Sequence, residues 1–124
     1  MINCQAGDTG RTARNDYEPS DTLKARAMPK ALYATFEVLP GHEETMRQMM
    51  AELTRAVRAE PGCLRFVAYT RADNPSAYHV DEIYADEAAF AAHIASAHGR
   101  AFNAAITDKV VGGGSQVVFL DETD

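Results

Sequence analysis

The chain has 124 residues, with 18 acidic side chains against 12 basic ones and a formal charge of −6. That length fits one domain, and the acidic balance argues against nucleic acid or an anionic membrane surface as partner, since both select basic surfaces. No apolar run approaches the ~20 residues of a membrane span, and the first residues lack the apolar core of a signal peptide, so the expected location is the cytoplasm.

Residues 1–29 are polar and aperiodic, with Gly7, Gly10, Pro19 and Pro29, and read as an N-terminal arm ahead of a domain over 30–124. Cys4 in the arm and Cys63 make neither a disulfide framework nor a metal knuckle and are expected as free thiols. Residues 31–39, ALYATFEVL, alternate as a strand, with Leu32, Ala34, Phe36 and Val38 on one face and Tyr33 and Thr35 on the other. Pro40 and Gly41 end it. Over 42–60, Met46, Met49, Met50, Leu53, Ala56 and Val57 recur at helical spacing, and Pro61 and Gly62 stop the helix.

A second strand is expected over 63–70, turn residues over 72–76 and a third strand over 78–84, the last two strands forming a hairpin. In the third strand Glu82 shares a face with Tyr78, Val80 and Tyr84, while His79 and Asp81 face the other way. Asp86 stands where an N-cap belongs, with Ala89, Phe90, His93 and Ile94 at helical spacing after it. Ser96 and Gly99 interrupt this helix, and a second short one, with Ser96 as its cap, carries Phe102, Ala105 and Ile106 inward. Gly112, Gly113 and Gly114 read as a flexible link to a last strand over 115–120.

The order β-α-β-β-α-β predicts an α+β ferredoxin-like fold: an antiparallel sheet with its helices on one face. Val118 and Leu120 lie opposite Val117 and Phe119, so the free face of the sheet is also apolar, and a homodimer closed sheet against sheet is expected.

Three segments together resemble the antibiotic biosynthesis monooxygenase family of dimeric α+β barrels: ATFEVLPGHEE, EPGCLRF and DEIYADEAAFAAHIASAHGRAFN. The most specific part falls on Glu82, Tyr84, residues 86–90, His93, Ser96 and His98. The resemblance implies small-molecule chemistry of three kinds: cofactor-free oxygenation of quinols or polyketide phenols, haem degradation, or isomerisation of phosphorylated autoinducer sugars. Ala34, Tyr84 and Asn103 stand where the haem-degrading branch carries Asn, Trp and His, so that branch is excluded. EIY with CLRF matches the isomerase pattern, for which Arg65, Arg71 and Arg100 are the phosphate-holding candidates. A binding or stress-response domain without turnover is the third alternative, with Glu82 salt-bridged to Arg65 or Arg71.

A cofactor-free oxygenase acting on an aromatic substrate and molecular oxygen needs a base and an apolar slot. Glu82 and His98 are the candidate catalytic residues. Tyr84, Tyr69, Phe66, Tyr33, His93 and Asn103 are the candidate substrate contacts. No metal is expected, because His93 and His98 lack a companion ligand in sequence, and no Gly-rich phosphate loop precedes a helix. A cavity of roughly a few hundred Å3 is expected beside Glu82 and His98, and without one both enzyme readings weaken sharply.

Overall fold

The computed structural model describes residues 28–123. Nearly all of the expected arm, with Cys4, lies outside them. The elements are β1 (Lys30–Glu37), α1 (Glu43–Arg58), β2 (Cys63–Arg71), β3 (Asn74–Tyr84), α2 (Glu87–Ala95), α3 (Ala97–Ala105), a 3-10 turn (Val111–Gly113) and β4 (Gln116–Leu120). The sheet order is β2-β3-β1-β4 and every pairing is antiparallel, which is the expected ferredoxin-like arrangement.

The strand alternation read from sequence decides the core. Leu32, Ala34 and Phe36 of β1, Phe66 of β2 and Val80 and Tyr84 of β3 are buried in one cluster with Met46, Met50, Leu53 and Val57 of α1 and with Phe102 and Ile106. Each such apolar side chain removed from water contributes about 1.5–3 kcal/mol, so this single layer between sheet and helices carries the fold. The opposite face holds Tyr33, Tyr69, His79, Asp81, Val118 and Leu120 at half-buried to exposed positions.

The structure departs from expectation in two places. β3 starts at Asn74, because Ala72 and Asp73 alone make the turn and a register shift at Thr70/Arg71 accommodates the extension. The glycine run is an ordered turn: Gly112 and Gly113 take positive φ (76° and 80°), Gly113 N–H donates to Val110 O, and Val110 bridges Val38. Among the described residues no helix is long and apolar enough to cross a membrane.

Candidate active site

Glu82 sits mid-strand on the helix side of β3, 1% exposed. Tyr84 Oη, two residues on and therefore on the same face, donates to Glu82 Oε1 at 2.7 Å. Glu82 Oε2 is buried with no hydrogen-bond partner. Burial pushes the Glu82 carboxyl up to about 7 against the opposing Tyr84 hydrogen bond, and burial next to Glu82 pushes the Tyr84 phenol up as well. The expected Arg partner of Glu82 is not there: Arg65 meets Asp81 and Tyr69, and Arg71 meets Asp73.

His93 takes that place. It is the one inward residue of α2 that is fully buried, its ring stacks on Tyr84 with centroids 4.8 Å apart, and its Nε2 lies 3.9 Å from Glu82 Oε1. Burial pulls the His93 imidazole below its ordinary range, against the pull of Glu60. Its Nδ1 is 3.0 Å from Glu60 Oε2, and His98 Nε2 approaches the same oxygen at 2.5 Å. With the carboxylate accepting both bonds, His93 carries its proton on Nδ1 and leaves Nε2 bare toward Glu82.

Local sequence explains this convergence. Pro61 and Gly62 stop the chain just past α1, holding Glu60 at the helix end. Gly62 has no side chain where a Cβ would stand 2.3 Å from Ala89 Cβ, so the first turn of α2 packs directly on this corner and brings His93, one turn later, to Glu60. Asp86 caps α2 by accepting from Ala89 N at 2.8 Å, as its position predicts. Ser96 then breaks the helix: its Oγ accepts from Gly99 N and donates to His93 O, which redirects the chain so that His98 faces back to Glu60.

Glu60, which sequence reasoning did not single out, is thus the hub. One signal was present: an acid beside a helix carboxyl end stands against the macrodipole, which favours cations there. A pocket of about 480 Å3 opens beside it, lined by Glu60, Pro61, Gly62, Ala88, Ala89 and Ala92. Neither Glu82 nor His98 is among the residues lining this pocket, which meets the network at Glu60.

Of the other expected contacts, Phe66 is buried and pairs with Glu82 across β2 and β3, on the same face. Tyr33 and Tyr69 lie on the far face, stacked and edge-on respectively against His79, and do not join Glu82 because alternation turns them away. Asn103 is half-buried on α3. Arg65, Arg71 and Arg100 are exposed and none lines the pocket beside Glu60.

The expectation that metal ligands fail to converge is corrected. Glu60, His93 and His98 place one ligand atom each within 4.8 Å of one another. The 2.5 Å between Glu60 Oε2 and His98 Nε2 is shorter than the separation of about 3 Å between neighbouring ligands around one ion at ~2.0–2.2 Å, so the trio is arranged as a hydrogen-bonded network.

The family description for antibiotic biosynthesis monooxygenase matches residues 30–105, which hold β1 through α3 and every member of the network. No curated protein matches. Among solved structures the fold is similar to PA3566 from Pseudomonas aeruginosa, at 23% identity over 80% of this chain and 98% of that one, with a TM-score of 0.72. It is likewise similar to Rv0793 from Mycobacterium tuberculosis (25% identity, 77% and 96% covered, TM-score 0.70) and to a structure named antibiotic biosynthesis monooxygenase (22% identity, 77% and 99% covered, TM-score 0.71). With the family match spanning more than half of the chain and the fold agreeing, this protein belongs to the antibiotic biosynthesis monooxygenase family.

Proposed function

We propose that the protein is a cofactor-independent monooxygenase that oxidises a quinol or polycyclic phenol with molecular oxygen, working as a homodimer. The observation that carries this reading is the Glu60 carboxylate, which lines an otherwise apolar pocket while held by His93 and His98. Glu60 is the one side-chain acceptor among the residues lining that pocket for a phenolic O–H to meet, and the alanine and proline wall suits a flat ring and dioxygen.

Glu60 takes the phenolic proton. The electron-rich anion passes an electron to dioxygen, and the two radicals join at a ring carbon as a hydroperoxide, which takes a proton back from Glu60. Loss of water then leaves a carbonyl: the distal OH departs with a proton from Glu60, and the ring carbon gives its own proton back to Glu60. One quinol and one dioxygen give one hydroxyquinone and one water, with the four electrons supplied by quinol oxidation and by the ring C–H. Glu82, enclosed behind His93, does not touch the substrate.

The isomerase alternative expects cations at the pocket, and Arg65, Arg71 and Arg100 do not line it. The binding-domain alternative expects an Arg on Glu82, whose neighbours are instead Tyr84 and His93.

Oxygen consumption with a panel of hydroquinones, naphthols and anthrones tests the reading. Uptake should exceed the spontaneous rate and fall about a hundredfold in Glu60→Gln, with a smaller loss in His98→Ala. A panel that gives no uptake above the buffer blank overturns it.

A further inference from the structure

Glu82 is a carboxyl group that the chemistry at the pocket does not reach, yet it is wired to that pocket. We infer that Glu82, His93 and Glu60 form an internal proton path in which Glu82 is an acid held in reserve, lending a proton outward to Glu60 and regaining it later. The inference rests on the proposed oxygenase for its use, but not for its existence.

The geometry sets the direction. His93 is 1% exposed and holds one ring nitrogen toward each carboxyl group, Glu60 Oε2 at 3.0 Å from Nδ1 and Glu82 Oε1 at 3.9 Å from Nε2. The first contact is a hydrogen bond; the second becomes one after a shift of about 1 Å. With Nδ1 protonated and Nε2 bare, the imidazole can accept from Glu82 while giving its own proton to Glu60. That single hop moves one proton outward and leaves His93 in the opposite tautomer, now set to accept from Glu60 and give to Glu82. The imidazole is neutral before and after; the proton moves outward and the negative charge inward, from Glu60 to Glu82, where the Tyr84 hydroxyl donates to it and the cost of burial drives the proton's return.

Solvent reaches the far end. Glu60 is 13% exposed and lines the pocket, and its partner His98 is 31% exposed. The near end is dry: Tyr84 and Phe66 flank Glu82 and are themselves buried. Glu82 Oε1 is the oxygen toward His93, and Oε2 has no hydrogen-bond partner that would hold the carboxyl against the small shift transfer needs. In the proposed reaction, the proton lent by Glu82 arrives at Glu60 as the distal oxygen of the hydroperoxide leaves as water. The proton lost from the ring carbon returns along the same path, so the store ends as it began.

The test needs no turnover. In infrared spectra recorded at a pH below about 7, the carboxylic acid band of Glu82 is assigned by its loss in Glu82→Gln. On transfer to D2O that band should shift far faster than the β3 backbone amides exchange, because the path operates without opening the core. In Glu60→Gln the hydrogen bond from His93 is kept but the proton cannot be passed, and the shift should slow about a hundredfold. Nitrogen-15 spectra of the resting protein should show His93 protonated on Nδ1 only. An acid band that exchanges no faster than the amides, an unslowed Glu60→Gln, or His93 protonated on Nε2 each overturns the path, and the last is read on the unmutated protein if the variant does not fold. If exchange behaves as expected while no quinol is oxidised, the path stands and the oxygenase falls.

Discussion

Burial of Glu82 costs the fold stability in a pH window that can be located. Its carboxyl titrates near 4.5 when unfolded and about 7 in the fold, with burial as the main cause, Tyr84 opposing and Glu60 reinforcing. Below about 4.5 both states are protonated and the group is neutral to stability. As pH rises toward 7 the unfolded chain sheds the proton while the folded chain keeps it, so stability falls, by on the order of 3 kcal/mol once pH exceeds the folded value. His93 has the opposite sign, since its lowered titration withdraws stability as pH drops below its unfolded range. The groups facing Glu82 are Tyr84 on its own strand, Cys63 from β2, Glu60 beyond the end of α1 and His93 from α2. Unfolding by urea across this window should show wild type losing stability relative to Glu82→Gln as pH rises; parallel curves would refute the burial argument. Tyr84→Phe should move the Glu82 titration further up, because it removes the donor that favours the ionised form, and cost about 1–3 kcal/mol. Carbon-13 titration of Glu82 reads that shift. This residue was legible in sequence because strand alternation alone turned it onto an apolar face. Glu60 was not, because its partners come from 33 and 38 positions away and no local period marks it.

At the level of elements, the site depends on how closely α2 meets the corner between α1 and β2. Gly62 is required there by contact rather than by backbone angle: an added methyl would stand 2.3 Å from Ala89 Cβ, an overlap neither chain can relieve without moving the helix. Gly62→Ala should therefore destabilise by about 1–3 kcal/mol and lengthen the Glu60 to His93 contact, visible as a changed His93 Nδ1 proton signal. Ala89→Gly alone weakens the helix by up to roughly 1 kcal/mol, yet the double variant should be more stable than Gly62→Ala. Strict additivity would mean the contact does not set the packing. The Ser96 break is the second such device, since one hydroxyl caps α3 and ties down the last turn of α2. Both helices, their caps and the break between them followed from Asp86, Ser96 and the apolar spacing. The close approach did not, because a glycine after proline reads as a turn signal whether or not a helix rests on it. For the same reason the glycine run looked like a flexible link, although Val110 anchors it to Val38.

For the whole molecule, the free face of the sheet remains to be accounted for. It divides in two: toward β2 and β3 it carries Arg65, Asp81 and His79 in a network of their own, whereas over β1 and β4 it presents Val118 and Leu120, 41% and 45% exposed, beside Tyr33. An apolar half with a polar half adjoining it is the composition of an interface core and rim. Under the proposed homodimer, the second copy seats over β1 and β4, where a two-fold contact lets the same apolar strip cover itself. Each chain carries a charge of −6, so association is opposed by repulsion at long range and should tighten as salt screens it. Sedimentation equilibrium should give twice the chain mass, with the dissociation constant falling between low and moderate salt. Val118→Lys, which places a charge on the apolar strip at a position that the single chain leaves exposed, should change chain stability by no more than about 0.5 kcal/mol and yet release monomer. A wild-type chain that sediments as monomer throughout, or a variant that stays dimeric, would mean that this face is covered in some other way. The pocket beside Glu60 lies on the helix side of the sheet, so the monomeric variant should keep the His93 tautomer and the proton path even where it loses its partner.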